Sequence, residues 1–207
     1  MSKTICCPVP TAIESAVTTL NPCRADVGQI QKLVFWRAGN SIGTVGTGTG
    51  GTGISTTWTT LLAAADDTKA VVTPFIGNPV LPVSEAREFG GGNETRNGVT
   101  ISKGGQASPF TGTMYMEDQD VITALKQLEC ENLEVIFINE SNQFIYSDAS
   151  TFSGFPISMG SLFVSDKGFG GYNDPDTNTI KFMLAPNWSN TLEISAVNTF
   201  ALNMVNS

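Results

Sequence analysis

The stretch from Asp118 to Tyr146, DQDVITALKQLECENLEVIFINESNQFIY, most limits what this chain can fold into, because its apolar period changes midway. Val121, Ile122, Leu125 and Leu128 fall at i, i+1, i+4 and i+7, which is one face of a helix over about 118–130. Asp118 and Asp120 place negative charge at its start, where unpaired amides and the macrodipole favour it. Leu133, Val135 and Phe137 then alternate with Glu134, Ile136 and Ile138, the period of a strand. Asn139-Glu140-Ser141-Asn142 supplies turn chemistry, and Phe144 and Tyr146 resume the alternation on a return strand. A helix followed directly by a β-hairpin is the expectation.

The remaining chain reads as strands and polar loops. Residues 1–29 form an N-terminal arm broken by Pro8 and Pro10, within which 12–20 fits either a helix or a strand. Residues 30–38, IQKLVFWRA, are a strand, and the unbroken apolar run Leu33–Trp36 implies cover on both faces. Residues 56–67 suit a short helix with Trp58, Leu61, Leu62 and Ala65 on one side, Trp58 being its packing anchor. Residues 70–76 are a strand whose Pro74 demands an edge or a bulge. The sequence predicts further strands at 111–116, at 157–165, at 179–185 with Ile180, Phe182 and Leu184 alternating, and at Leu192, Ile194 and Ala196. An elaborate turn spans 166–178. Residues 39–55 are a Gly/Thr-rich loop, and 77–109 are mostly loop, an arm or flap with a hairpin turn at Asn97-Gly98. The expected fold is mainly β: one β-rich domain over 1–207, a sandwich or barrel with one flanking helix at about 118–130 and long projecting loops.

Composition excludes several chemistries. Only 14% of residues are charged, well under the usual quarter, so Thr, Ser, Asn and Gly must supply the polar surface and neighbours are expected to cover part of it. The net charge of −8 comes from 11 basic against 19 acidic residues, and the basic ones are scattered, which disfavours nucleic-acid phosphates and anionic membranes. There is no histidine, which removes the commonest general base, zinc ligand and pH switch. Cys6, Cys7, Cys23 and Cys130 lack C-x-x-C spacing, and reduced, structural cysteines are expected; a Cys7–Cys23 bridge cannot be deduced from spacing. No apolar run approaches the ~20 residues of a membrane helix, and MSKTICCPVP lacks the succession of a signal peptide, so synthesis as a soluble cytoplasmic chain is expected.

No motif declares a chemistry. Gly46, Gly48 and Gly51 match G-x-G-x-x-G, but Gly-Thr alternation generates that spacing by chance. Asp174, Asp176 and Asn178 have the D-x-D-x-N opening of an EF-hand loop, yet its sixth and twelfth positions are Thr179 and Ala185, so an Asx-rich turn is the better account. The acid pairs Glu85/Glu88 and Glu129/Glu131 lack a partner base and read as solvated charge. Ser153-Gly154 and Ser158-Met159-Gly160 do not form a nucleophile elbow. No catalytic, cofactor-binding or metal-ligating residue is assigned, and a non-enzymatic role without cofactor is expected.

The segments 56–76 (TTWTTLLAAADDTKAVVTPFI), 86–99 (AREFGGGNETRNGV) and 161–190 (SLFVSDKGFGGYNDPDTNTIKFMLAPNWSN) resemble virion proteins of phages and prophages of Bacteroidetes-type bacteria. The whole pattern, a strand-rich chain with one helix before a hairpin, a glycine-rich loop and a long arm, is similar to tail-tube proteins of tailed bacteriophages. The resemblance implies a β-sandwich or barrel with a flanking helix, self-associating into rings, commonly hexameric, that stack into a tube. It also implies a loop reaching the adjacent ring, other virion proteins as partners, and DNA only as passing cargo, to which an acidic lumen would not stick. A capsid-decoration or other head or neck protein is the alternative. A glycan- or receptor-binding β-module is a second, with Trp58, Trp188 or Tyr172 as stacking platforms.

Overall fold

A computed structural model describes residues 27–40, 55–147 and 152–194 of the chain. The elements in order are β1 (Ile30–Arg37), α1 (Ser55–Ala63), β2 (Val71–Val72), β3 (Gly77–Val80), β4 (Ala86–Phe89), β5 (Ile101–Gly105) and β6 (Ser108–Tyr115). There follow α2 (Gln119–Lys126), β7 (Leu133–Asn139), β8 (Phe144–Ser147), β9 (Phe155–Pro156), β10 (Phe163–Val164), β11 (Thr177–Leu184) and β12 (Leu192–Ile194). The first sheet runs β12-β8-β7-β1-β2, with β9 also paired to β7, and the second runs β10-β11-β6-β3. Among the described residues, strands β4 and β5 pair only with each other. All the strand pairs are antiparallel. The protein is therefore mainly β, and among the described residues no pairing closes the two sheets into a barrel.

The main core lies between the sheets. Leu33 and Phe35 of β1 and Val135 and Phe137 of β7 meet Phe110 and Met114 of β6 and Ile180 and Phe182 of β11. Aromatic rings meet across the layers, Phe35 edge-on to Phe182 at 5.9 Å and Phe110 beside Phe137 at 5.7 Å, and within them, Phe110 stacked on Phe182 at 4.7 Å and Phe137 on Phe155 at 5.6 Å. Such pairs contribute about 0.5–1.5 kcal/mol each beyond the area they bury. A bulge between Ile30 and Lys32 changes the parity of β1, so Ile30 joins Leu33 and Phe35 in this core. Gly112 of β6 is needed there, because a Cβ would strike the Ile76 methyl.

The opposite face of the first sheet is equally apolar and equally covered. Val34, Trp36, Ile136, Ile138, Phe144 and Tyr146 form a second cluster with Trp58 of α1. The Trp58 indole stacks on Phe144 at 5.2 Å and meets Phe152 edge-on at 6.3 Å. Two-sided cover of β1, implied by its unbroken apolar run, is thus observed.

The helix that precedes the hairpin does different work. Asp118 caps it, its Oδ1 accepting the Asp120 N–H at 3.0 Å. Ile122 and Leu125 are buried in the inter-sheet core, so α2 plugs the sandwich while α1 lies on its outer face. The expected span of 118–130 is helical, but Gln127–Cys130 tighten into a 3-10 turn. Val121, expected on the apolar face, is exposed, whereas Ile122 and Leu125 are buried and Leu128 packs partly buried against the same core.

Two expected strands and one expected loop change. Only Val71–Val72 of 70–76 is a strand, at the edge of the first sheet. The chain still follows β1, through Thr73 N–H to Leu33 O and Ile76 N–H to Gln31 O, with Pro74, which has no N–H to offer, between them on that edge, and then crosses to the second sheet as β3. The expected strand 157–165 is likewise a crossing. Strand β9 belongs to the first sheet and β10 to the second, and the turn between them uses Gly160 at φ +72° and a Ser161 N–H to Ser158 O bond. The segment 77–109, expected to be mostly loop, contains β3, β4 and β5. Ala196 and the ambiguous 12–20 lie outside the described residues.

Replacing Trp58 by Ala should cost about 3–5 kcal/mol, read as a lowered denaturant midpoint. Leu125→Asp, which puts a carboxylate into the inter-sheet core, should abolish cooperative unfolding; an unchanged near-UV dichroism spectrum in either variant would contradict these packing assignments.

Candidate assembly interface

Nearly all of the β4–β5 hairpin faces solvent. Every residue of β4 is exposed, as are Ile101–Gly104 of β5. Phe89 pairs with Ile101 across the ladder, and the Lys103 ammonium lies 4.4 Å from the centre of the Phe89 ring. Phe89, Val99 and Ile101 are about half exposed, and nearby Val83 is almost fully exposed. Local bonds build the tip. Thr95 Oγ1 accepts the Gly91 N–H and donates to Val99 O, and Asn97 and Gly98 both adopt positive φ at the expected turn. At the base, Gln106 N–H donates to Glu85 O at 2.8 Å, and the Ser84 and Ser108 hydroxyls are 2.6 Å apart. An isolated two-stranded hairpin is marginal in water. This one exposes apolar side chains and open strand edges, the features that mark a surface for pairing with another chain.

A second exposed feature is the loop before β11. It carries Phe169 and Tyr172 almost wholly in solvent. Both ends are tied down: Asp166 pairs with Lys126 of α2, Lys167 Nζ donates to Glu117 O at 2.7 Å, and Gly168 bridges Thr177. The D-x-D-x-N residues serve this turn. Asp176 Oδ1 accepts the Gly170 N–H at 3.2 Å, and the buried Asn178 donates to Ser165 O at 3.1 Å. Among the described residues no three His, Cys, Asp or Glu side chains gather as a metal-binding group.

The other candidates are structural or solvated. Glu85 and Glu88 are exposed on and beside the hairpin. Glu129 accepts the Val164 N–H at 2.8 Å, joining the end of α2 to β10. Glu131 takes a two-pronged contact from Arg37 at 2.7 and 3.0 Å, which holds its carboxyl below the usual range. Trp58 is buried and Trp188 packs edge-on to Phe155 at 5.1 Å, so of the three suggested stacking platforms only Tyr172 is exposed. Ser153 exchanges backbone hydrogen bonds with Ser147. At Gly154 a Cβ would come within 2.8 Å of both Glu134 and Trp36, so glycine is required for chain approach. Cys130 is a free, exposed thiol. Cys6, Cys7, Cys23 and the run Gly46–Gly51 lie outside the described residues.

One group had no sequence signal. Lys32, in the strand IQKLVFWR, is only 6% exposed. Burial pushes its ammonium pKa down, and the nearby Glu117 carboxylate partly opposes that. Burial pushes Glu117 up, while Lys32 and Lys167 pull it back. A single lysine within an apolar strand looks like a solvated edge residue; its burial depends on the bulge beside it and on the approach of Glu117.

No protein-family model matches the sequence, and no curated protein matches it. Three solved assemblies contain chains with some likeness. A chain of the tail of an empty gene transfer agent particle, refined with sixfold symmetry, is 15% identical over 58% of this chain and 82% of its own, with a TM-score of 0.34. A chain of a native gene transfer agent virion is 16% identical over 58% and 85%, also at 0.34. A chain of the sixfold-symmetrised baseplate of the anti-feeding prophage is 10% identical over 84% and 98%, at 0.37. At these scores the superpositions carry no argument for a common fold or role. Among the described residues no helix is long and apolar enough to cross a membrane.

The lowered Lys32 pKa has a definite sign. Between that pKa and the ordinary lysine value of 10.5, the unfolded chain binds the extra proton, so stability rises with pH across this window and the burial penalty is full below it. Lys32→Met should flatten the alkaline rise in urea midpoint; an equally steep rise in the variant would assign it to another group.

Proposed function

We propose that this chain is a non-enzymatic structural protein of a tailed-phage virion, made in the host bacterial cytoplasm. Within the virion, a tail-tube subunit fits best. Copies would join into rings, hexameric if the family resemblance holds, and stack into a tube through which DNA passes without specific contact. The observation that carries the proposal is the β4–β5 hairpin, whose strands are exposed along their length with Phe89, Val99 and Ile101 uncovered. A monomer gains little from ordering such an element, whereas a neighbouring subunit that covers it offsets the entropy. Sparse charge, at 14% of residues, suits a surface largely covered in assembly. The single-domain reading of 1–207 belongs to the same proposal, with the arm at 77–109 as its assembly element.

A capsid-decoration role would use the same β-rich core and a similar arm without ring stacking, and no observation favours it over the tube. The glycan-binding alternative loses Trp58 and Trp188 as platforms and retains Tyr172.

Negative-stain electron microscopy across a protein concentration series tests the proposal. Hollow tubes or stacked rings of uniform bore are expected. The double variant Phe89→Asp, Ile101→Asp should keep the melting temperature within a few degrees, since both side chains are exposed, while losing the stacks. Compact monomers at every concentration, together with binding to emptied heads, would instead make it a decoration protein.

A further inference from the structure

The tip of the β4–β5 hairpin holds the one Asn-Gly dipeptide in the chain, Asn97-Gly98. The turn dictates both residues. Asn97 sits in the left-handed region, at φ 65° and ψ 17°, which asparagine tolerates better than most side chains. Gly98 follows at φ +66°, and a Cβ there would come within 3.3 Å of Gly92 O, so glycine alone fits without strain. The same chemistry leaves a carboxamide beside a backbone nitrogen that no side chain shields. Both residues are exposed, and among the described residues no hydrogen bond holds the Asn97 carboxamide.

We propose that Asn97 is a self-modifying site, converted by water to aspartate and isoaspartate through a cyclic imide. The Gly98 nitrogen attacks Asn97 Cγ, and a new C–N bond forms. The Gly98 amide proton passes through solvent to the carboxamide nitrogen, which leaves as ammonia. Water then opens the imide at one of its two carbonyls. Attack at the side-chain carbonyl breaks the new bond and gives aspartate. Attack at the main-chain carbonyl breaks the original peptide bond and leaves the chain joined through Cγ, as isoaspartate.

The structure also sets what restrains the reaction. Gly98 N–H donates to Thr95 O at 3.0 Å, and attack requires that bond to break and the Asn97 peptide plane to rotate away from ψ 17°. Little opposes this. Thr95 Oγ1, which accepts from Gly91 N–H and donates to Val99 O, ties the tip only to itself. The strands beneath pair only with each other among the described residues, and such elements open at a small part of the global unfolding free energy. The product changes the arm's charge. Between Ala86 and Gly105 it carries Arg87, Arg96 and Lys103 against Glu88 and Glu94, so one new carboxylate cancels its net positive charge. The inference stands on the turn alone and holds whether or not the arm docks in an assembly.

Incubation of the full chain at mildly alkaline pH, sampled over days, tests it. Peptides spanning Asn97 should gain the mass of O in place of NH, with release of ammonia and a new, more acidic band on isoelectric focusing. In heavy-oxygen water the product should carry one solvent oxygen. The folded chain should convert within severalfold of the rate of the urea-unfolded chain. Asn93, before Glu94, and Asn173, before Asp174, are also exposed and act as internal controls that should convert far more slowly. Conversion of Asn97 in urea but not in the folded chain would mean that the turn locks the peptide plane, and would overturn the proposal. Equal conversion at Asn93 or Asn173 would overturn it too, since exposure and not the turn would then govern. Asn97→Gly, which keeps the left-handed backbone, should abolish the acidic band and most of the ammonia; undiminished release from this variant would place the reaction elsewhere.

Discussion

The β1–β7 pair is the constraint on which the rest of this structure depends. The two strands pair from Arg37 opposite Leu133 to Ile30 opposite Asn139, and between them they send apolar side chains to both faces. A ladder that is apolar on both sides has no stable exposed state, so two covers must be found. The second sheet supplies one, through Phe110, Ile180 and Phe182. Helix α1 supplies the other, with the Trp58 indole laid on Phe144. The crossings after Ile76 and around Gly160 follow, because the chain must change sheets to build the second sheet over the first.

Asn139 and Thr73 are polar groups of this arrangement that find partners, whereas the buried Trp36 Nε1 of β1 finds none among the described residues. Asn139, almost wholly buried, accepts from the Ser141 and Gln143 amides and donates to Val27 O and the Gln143 side chain, so one residue both closes the β7–β8 turn and pins the start of β1. Thr73 Oγ1 accepts the Leu33 N–H at 2.9 Å, extending β1 pairing past the last residue of β2. These bonds tie β1 to the β7–β8 turn and to the segment after β2. By contrast, among the described residues the β4–β5 strands pair only with each other, and Phe89, Val99 and Ile101 meet water. That contrast, a packed framework beside an uncovered arm, is the observation on which the proposed assembly role rests.

Much of this was legible in the residues. The alternation of Ile180, Phe182 and Leu184, the run Leu33–Trp36 and the Asp118 cap each correspond to a local structure with the expected burial. The turns at Asn139–Asn142 and Asn97-Gly98 were legible because Asn and Gly tolerate positive φ, which Asn97, Gly98 and Asn142 adopt. The errors share a cause. Residues 157–165 look like one apolar strand, yet their two ends serve different sheets. Val121 matches the helical face of Ile122 and Leu125 in spacing, yet it is exposed. Lys32 shows no sign of burial until the bulge that turns it is known.

The sequence by itself determined the class and period of the main elements, because local periodicity reports which faces of a segment must leave water. It also ruled out histidine chemistry by composition alone. What covers each face was decided only in the tertiary structure. That α2 plugs the sandwich while α1 lies outside it, that the arm is a ladder instead of a loop, and that a cavity stands open beside Val27 all depend on contacts between residues far apart in the chain. Periodicity says that a face needs a partner; only the geometry of the two sheets selects which one arrives.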